Sequence, residues 1–184
     1  MSYCASGKLT GEKMAEAKYY SPKLETMSAE ERVRYYNRRL RKVVEFAYQN
    51  APAIKEKFDK AGIAPSEIRT TKDLEKVPIT RKEDLPGLQL ASPPFGGFVT
   101  LPMSNLGWVV AHPGPFYVPC HTEECYQCAA KALYAGGFRQ GDIVVNTFPY
   151  TYHAAWLLSE GLKRLKITVI PTGVGNTEFQ IKVM

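Results

Sequence analysis

Two short apolar runs near the end of the chain constrain its fold more than any other feature of the sequence. Ile143-Val144-Val145 follows the turn residues Gly141-Asp142, and a second run extends from Ile167 to Pro171. Continuous apolar runs of this kind are typical of strands buried in a parallel sheet. Residues 154–165, which lie between them, have the periodicity of a helix. The sequence therefore predicts a strand–helix–strand unit and an α/β fold class.

Residues 19–88 are predicted to form a small helical module. Ser28 and Glu31 have the spacing of a capping box, which would begin a long helix that extends to about Ala51. Pro52 and Gly62 mark the start and the end of a second helix. Thr71 and Thr80 are expected to begin two further short helices. Apolar residues at helical spacing predict one buried stripe on the long helix: Val33, Tyr36, Leu40, Val43, Val44, Ala47 and Tyr48.

The predicted organisation has three parts: a loose leader at 1–18, the helical module at 19–88, and a partial α/β domain at 89–184. Pro86-Gly87 marks the change between the last two parts. In the α/β part, Phe98–Leu101 and Leu106–Ala111 are predicted to pair as a hairpin ahead of the strand–helix–strand unit. A further helix is expected from Thr177. A sheet that ends in this way would have an exposed edge, so we expect an incomplete sheet that is truncated relative to a larger domain.

Composition and charge exclude several functional classes. The net charge is +6, but many of the basic residues belong to the long helix and are expected to form a solvated face. The aromatic and glycine pattern of an RNA-binding module is missing, so no nucleic-acid partner is predicted. No apolar run has the roughly 20 residues that a membrane span needs, and no signal peptide is recognised. We therefore expect a cytoplasmic protein whose four cysteines are reduced.

The stretch from Trp108 to Leu133 predicts a strand, a loop and a helix capped by Thr122. A phosphate-binding loop occupies this position in many α/β proteins, because backbone N–H groups at a helix start can bind an anion. Here, however, the loop begins with His112, Pro113, Gly114 and Pro115. Prolines have no N–H to donate, so we interpret this segment as a degenerate phosphate loop.

A group of cysteines and histidines near the predicted helix has two interpretations. Cys120, His121, Cys125 and Cys128 have a spacing that could suit zinc. Cys125 and Cys128 also share a helical face with alanines, and we favour their packing in the core, with no metal site. His112 could act as a base or bind a phosphate, but packing within the loop is the favoured interpretation. No catalytic residue is assigned, since no Ser-His-Asp set, carboxylate pair or Walker loop occurs.

Three segments of the chain resemble phenylacetate–coenzyme A ligases. They are Tyr20 to Ser28, then Asn50-Ala51-Pro52 with Phe58 and Ala61-Gly62, then Val77 to Leu85. The α/β part adds Arg139-Gln140-Gly141-Asp142, Val145-Asn146 and Val169 to Glu178, so the resemblance covers roughly residues 19–184. It implies the N-terminal portion of an adenylate-forming enzyme. Such enzymes join ATP and an aryl acid into an acyl-adenylate, and coenzyme A then displaces AMP.

The resemblance also implies cofactors and a substrate site. ATP, Mg and coenzyme A would serve a full-length relative, whereas this chain is assigned no cofactor of its own. Asn146 to His153 is similar to the segment that lines the aryl pocket in the family, and Gly173 to Thr177 would also line the substrate pocket. The predicted substrate-binding residues are Phe148, Tyr150, Tyr152, His153, Gly173, Gly175 and Asn176. In contrast, the family's Ser/Thr/Gly-rich phosphate loop and its lysine are replaced at 112–115, and only Gly114 survives.

Two functional hypotheses follow. In the first, the chain is part of an aryl-CoA ligase-like protein that activates an aromatic carboxylic acid when complete and is inactive alone. In the second, it is a non-catalytic binding or oligomerisation module, which forms a dimer or associates with the remainder of such a ligase.

Overall fold

The computed structural model describes residues 17–120 and 123–184. Residues 1–16 of the predicted leader and Thr122, the expected helix cap, lie outside the described residues. The helices and strands are α1 Pro22–Glu25, α2 Ala29–Asn50, α3 Pro52–Ala61, α4 Leu85–Ala91, β1 Trp108–His112, β2 Phe116–Cys120, α5 Glu123–Ala135, β3 Ile143–Asn146, α6 His153–Arg164, β4 Thr168–Pro171 and α7 Thr177–Val183. Single 3-10 turns occur at Pro65–Glu67, Thr71–Lys76, Lys82–Asp84 and Met103–Asn105.

The strands form two small sheets. β1 and β2 pair antiparallel, with Trp108 opposite Cys120 and His112 opposite Phe116. β3 and β4 pair parallel through the crossover helix α6, with Ile143 opposite Thr168. The predicted strand–helix–strand unit and the mixed α/β fold class are therefore confirmed. No helix in the described ranges has the length and apolarity needed to cross a membrane.

Local sequence signals position the helical part. Ser28 accepts a hydrogen bond from Glu31 N at 3.2 Å, and the Glu31 carboxylate accepts one from Ser28 N at 2.9 Å, so the predicted capping box is present. These bonds lower the pKa of Glu31 because they stabilise its charged form. Gly62 ends α3 with a φ of 65°, a left-handed conformation that favours glycine.

The helical part has its own apolar core. Val44, Phe58 and Ile68 are buried there, and half-buried residues that include Leu40 and Tyr48 pack around them. The predicted stripe on α2 is wrong in its N-terminal half and at one further position, because Val33, Tyr36 and Val43 are exposed. In the described part of the chain, α2 is covered mainly by α3 and by the 3-10 segments at 65–67 and 71–76.

Of the two predicted short helical segments, the first begins at Thr71 as a 3-10 helix with Thr70 as its cap, whereas the second begins at Lys82 and is not capped by Thr80. Thr70 precedes the turn at 71–76, and the Asp73 carboxylate accepts hydrogen bonds from Thr70 N at 2.8 Å and Arg69 N at 3.1 Å. These backbone bonds, with one from Lys76, lower the pKa of Asp73. Thr80 does not cap a helix, since its hydroxyl accepts a hydrogen bond from Lys57. Pro86-Gly87 lies inside α4, where proline in the first turn is tolerated.

The predicted hairpin is displaced along the chain. Phe98–Leu101 contains no strand, and β1 pairs instead with β2, whose residues were predicted to be loop. β1 and β2 can pair because residues 113–115 form a tight turn between them, in which Gly114 has a φ of 112°. Pro119 is compatible with a strand at a sheet edge, where its missing N–H costs no ladder hydrogen bond.

α5 and α6 pack closely in the α/β part. The buried residues of this second core are Ala130, Leu162, Leu165 and Ile167. Tyr126 and Ala129 are also buried on α5, whereas Cys125 and Cys128 are exposed. The interpretation of the two cysteines as core residues is therefore wrong, because the small residues that fill this interface are alanines. The side chain of Cys120 and all of His121 lie outside the described residues.

Candidate functional site

The carboxyl ends of β3 and β4 lie side by side, and the candidate site is built there. Asn146 ends β3 and is opposite Pro171, which ends β4. Loops that follow parallel strands meet at this edge of a sheet, and ligand sites of α/β proteins commonly form there. The two segments predicted to bind substrate, 146–153 and 173–176, therefore begin at neighbouring positions.

Asn146 joins the two loops. Its main-chain oxygen accepts hydrogen bonds from Thr172 N at 3.1 Å and Gly173 N at 3.2 Å. Its side-chain nitrogen donates to Ala155 O at 3.1 Å and to Ser159 Oγ at 3.0 Å, while its side-chain oxygen accepts from Phe148 N at 3.1 Å. Because Asn146 is buried and its amide is fully bonded, it positions the loops and has no remaining donor for a ligand.

Aromatic side chains surround the start of α6. The Tyr150 hydroxyl lies 2.8 Å from Ser159 Oγ, and Trp156 Nε1 donates to Tyr150 O at 2.7 Å. The Tyr150 and Trp156 rings meet edge to face, with centroids 5.1 Å apart. On its other side Trp156 stacks on Trp108 at 4.0 Å, which connects α6 to the hairpin. These contacts make a rigid aromatic group.

A cavity of about 380 Å³ lies against this group, within the size range of small-molecule sites. Its lining residues are Tyr150, Trp156, Ser159, Lys163, Val169 and Pro171. Lys163 is the cation of this set and lies 2.7 Å from the Glu160 carboxylate. That contact is the main cause of the lowered pKa of Glu160. The cavity therefore has a largely apolar wall and one cation, which is already paired with Glu160.

The predicted site residues are only partly brought together. Of the predicted aromatic residues, Tyr150 lines the cavity. Phe148 and Tyr152, two positions before and after it in the chain, are about half exposed and are not among the lining residues. His153 is the first residue of α6 and is half-buried.

The glycine segment after β4 forms a turn with open space around it. Gly173 and Gly175 have φ values of 66° and 81°, and an added Cβ at either would meet no atom within 4 Å. The glycines therefore serve the turn conformation. Asn176 donates from its side chain to Thr172 O at 3.1 Å, so it stabilises this turn and does not cap α7.

Sequence reasoning missed Trp156, Ser159 and Lys163, which line the cavity from α6. They lie at three- and four-residue steps and therefore share one face of the helix. Their shared helix face was the signal that the sequence contained, but the sequence does not show that β4 and the loop after β3 lie against that face.

The turn at 113–115 does not provide a cradle of backbone amides. Its only N–H belongs to Gly114, since Pro113 and Pro115 have none. His112 stacks on Phe116 with centroids 4.8 Å apart, and its Nδ1 lies 2.9 Å from Pro113 O. The backbone at this position does not fit the phosphates of ATP in the manner of an amide-rich loop.

Two further features concern ligands. A more open groove of about 1000 Å³ lies between α3 and α4, and its lining includes Lys57, Ile79 and Leu88. None of its lining residues belongs to β3, β4 or α6, so it is separate from the candidate site. In the described part of the chain, no three His, Cys, Asp or Glu side chains form a group that could hold a metal ion.

Comparison with known proteins identifies relatives of this chain. No family model matches the sequence. The chain is 30% identical over 173 residues to a phenylacetate-coenzyme A ligase of Thermus thermophilus and 30% identical over 169 residues to one of Escherichia coli. The match covers 90% and 88% of this chain, respectively. The chain spans about 38% of the length of both relatives.

Solved structures give the same result. A 2-hydroxyisobutyryl-CoA ligase in the postadenylation state, in complex with 2-HIB-AMP, is similar with a TM-score of 0.84 and 29% identity. The match covers 95% of this chain and 38% of that chain. An open conformation of the same ligase, in complex with 2-HIB-AMP and CoA, also has a TM-score of 0.84. The resemblance found in the sequence is confirmed: in sequence and in fold, this chain corresponds to the N-terminal part of adenylate-forming coenzyme A ligases, with phenylacetate-coenzyme A ligases among its relatives.

Proposed function

We propose that this chain forms the acid-binding part of an aryl acid–coenzyme A ligase. In the proposed reaction, the carboxylate attacks the α-phosphate of ATP, which gives an acyl-adenylate and pyrophosphate. The thiol of coenzyme A then attacks the acyl carbon and AMP leaves. The chain's contribution would be to bind and orient the acid during the first step, a role in which positioning lowers the barrier.

One observation carries the aryl preference. The cavity between α6 and β4 has Tyr150 and Trp156 in its wall, with their rings fixed by hydrogen bonds and, for Trp156, by the stack on Trp108. Fixed aromatic faces bind an aryl ring with little loss of side-chain entropy. An aliphatic hydroxy acid would leave these faces without a stacking partner.

Turnover by this chain alone is not expected. The chain spans about 38% of its relatives, and no residue in it has been assigned a catalytic role. ATP, Mg and coenzyme A would be needed for the full reaction, and the amide-poor turn at 113–115 provides little to hold a triphosphate. We therefore expect no pyrophosphate release when the chain is mixed with ATP and aryl acids. Release by the purified chain would contradict this part of the proposal.

The binding proposal can be tested by intrinsic fluorescence. The chain contains two tryptophans, and these are the stacked pair next to the cavity. Phenylacetate should give a saturable change in emission, and 2-hydroxyisobutyrate should bind more weakly. Tyr150→Ala, which removes an aromatic side chain from the cavity wall, should weaken phenylacetate binding, and Phe148→Ala tests whether this predicted residue, which is not among the lining residues, contributes as well. Phe46→Ala is a matched control, because Phe46 lies on α2 and is 48% exposed compared with 49% for Phe148. No saturable response to phenylacetate would exclude the aryl proposal.

A second candidate function is assembly without catalysis. Several apolar side chains are more than half exposed: Ile143 on β3, Val174 in the turn after β4, and Phe179 and Ile181 on α7. Exposed apolar side chains favour association with a second copy or with the remainder of a ligase. Light scattering after size exclusion tests the first possibility. A stable dimer that resists dilution would favour the assembly module, and a monomer that binds phenylacetate would favour the ligase part.

A further inference from the structure

Two cysteines on α5 lie outside the candidate site. Cys125 and Cys128 are three residues apart on this helix, and both are exposed. Residues at this spacing are neighbours on a helix surface, so the two thiol groups share one open face. The buried face of α5 is formed by other residues, Tyr126, Ala129 and Ala130. The helix therefore holds two accessible thiols at a fixed spacing.

The carboxylates closest to this pair in sequence are bonded to other groups. Glu124 accepts a hydrogen bond from Arg39 Nη2 at 2.9 Å. Glu123 accepts from Arg164 Nε at 2.7 Å and from Gln127 Nε2 at 2.9 Å. In the part of the chain that the structure describes, no third His, Cys, Asp or Glu side chain joins the cysteines in a group that could hold a metal ion. Because a structural zinc ion almost always has four ligands, two thiols alone do not suit zinc.

The helix spacing also disfavours a disulfide between the two cysteines. Cβ atoms one helical turn apart are separated by about 5–6 Å, whereas a disulfide requires a separation of about 3.5–4.5 Å. A metal–thiolate bond is about 2.3 Å long, the value for zinc, so an ion bound between two opposed thiolates would hold the sulfur atoms about 4.6 Å apart. An undistorted helix can therefore present both sulfur atoms to one ion more easily than it can join them.

We propose that Cys125 and Cys128 form a two-coordinate site for a soft monovalent cation, copper(I). Thiolates are among the ligands that select copper(I). Binding breaks both S–H bonds, forms two S–Cu bonds and releases two protons to solvent, with no change in oxidation state. The bound complex carries one net negative charge, which is favourable in the first turns of a helix. Lys131, exposed one turn after Cys128, adds a positive charge on the same side of α5.

This site does not depend on the proposed function, since neither cysteine lines the cavity. Competition with a copper(I) chelator measures the binding without turnover. The reduced chain is titrated under nitrogen against copper(I) bicinchoninate, whose loss of absorbance reports transfer of copper to the protein. The wild type should withdraw one copper(I) per chain.

The cysteine variants identify the ligands. Cys125→Ser and Cys128→Ser should each bind copper(I) at least about 100-fold more weakly, because even the loss of a group that only orients a metal ligand costs about 10- to 100-fold in affinity. Cys4→Ser is the matched control, because it removes a cysteine far from α5 in sequence, and it should bind as the wild type does. Circular dichroism of all variants should match that of the wild type, since both substituted residues on α5 are exposed.

X-ray absorption at the copper edge determines the coordination number. Two sulfur neighbours, without nitrogen or oxygen neighbours, are expected. A third sulfur neighbour, or binding that weakens as much in Cys120→Ser as in Cys125→Ser, would overturn the two-coordinate site. The proposal also fails if the wild type withdraws no copper(I), if either α5 variant binds as the wild type does, or if zinc(II) binds with comparable affinity.

Discussion

The two apolar cores of this chain are stabilised in different ways. The helical core consists of Val44, Phe58 and Ile68, whose large side chains fill the space between α2, α3 and the 3-10 turn at 65–67. In the α/β core, α5 and α6 approach so closely that a Cβ built on Gly161 would lie 2.8 Å from the Cβ of Ala129. The helical core depends on large side chains that fill its space. The α/β core depends on a residue that has no side chain at the point where α5 and α6 cross.

This difference predicts opposite responses to mutation. Removing atoms should damage the helical core most, because a cavity remains where a large side chain was. Adding atoms should damage the α5–α6 contact most, because the backbones have to move apart.

The largest effect is expected for Phe58→Ala in the helical core. Phe58 is 4% exposed and meets Tyr48 edge to face. The substitution should lower the free energy of unfolding by about 3–5 kcal/mol, measured by urea denaturation. Phe46→Ala, which truncates an exposed phenylalanine on α2, should change it by less than about 0.5 kcal/mol. Equal losses in the two variants would show that Phe58 does not support a core.

Hydrogen exchange of the Phe58→Ala variant tests whether the two cores unfold separately. If the helical module and the α/β domain are separate units, as the boundary at residue 88 proposes, amides of α3 should lose protection while those of α6 keep it. The boundary falls within α4, and both the Arg39–Glu124 ion pair and the hydrogen bond from Ala53 N to Gly97 O cross it. Loss of protection in both regions would show that they unfold together and would refute the boundary.

The next effect is expected at Asn146, which joins the two loops of the candidate site. Asn146→Ala removes three hydrogen bonds of a buried amide and leaves Ser159 and the N–H of Phe148 without these partners. A loss of about 1–3 kcal/mol is expected for unsatisfied buried groups. Thermal denaturation measures the loss, and phenylacetate binding should weaken with it. Asn50→Ala is the control, because its side-chain bond to Phe46 O lies on an exposed part of α2, away from the candidate site.

A smaller net effect is expected for Gly161→Ala at the crossing of α5 and α6. Overpacking should cost about 1–3 kcal/mol, and the better helix propensity of alanine should return up to about 1 kcal/mol. Ala129→Gly in the same chain should recover part of the loss, since it removes the Cβ that the new methyl group meets. The recovery is only partial because the carbonyl carbon of Ala129 lies 3.0 Å away. A double-mutant cycle measures this coupling, and strictly additive effects would contradict the close contact.

Features that depend on neighbours in sequence were predictable. The capping box at Ser28 and Glu31, the stop of α3 at Gly62 and the strand–helix–strand unit all follow from spacings of a few residues. In these cases the physical cause, a side chain that bonds a nearby backbone group or an apolar face that repeats with the helix, is contained in the segment itself.

Features that depend on distant partners were not predictable in the same way. The stack of Trp108 on Trp156 and the approach of Lys82 to Gly114 join segments that are far apart in sequence. Nothing local to Lys82 indicates that it will meet a turn of β1 and β2. Likewise, the spacing of Cys125 and Cys128 identifies a helix face but not whether another helix covers it. The cavity residues on α6 were missed for the same reason.

The smallest effect is expected in the pH dependence of stability. It distinguishes carboxylates that are bonded by neighbours in sequence from carboxylates that are bonded by a distant residue. Glu123 on α5 is bonded by Arg164 on α6, with Arg164 Nε to Oε1 at 2.7 Å. This bond, followed by that from Gln127, lowers the pKa of Glu123 to about 2. A carboxyl group whose pKa is lower in the folded state stabilises the fold above its unfolded pKa, and this contribution is lost as the pH falls through the folded value. For Glu123 the loss should occur between the unfolded value of 4.5 and about 2.

Glu123→Gln should therefore flatten the acid dependence of stability in that pH window, and the change should be seen in the α5 and α6 amides. The effect should be modest because the pair is solvent-exposed on the Glu123 side. Glu31→Gln gives the matching test in the helical part, because the pKa of Glu31 is lowered by bonds within its own helix start. Its effect should stay within the first turns of α2. If Glu123→Gln leaves the acid dependence of α6 unchanged, the ion pair does not join the two helices, and their close approach depends on the small residues alone.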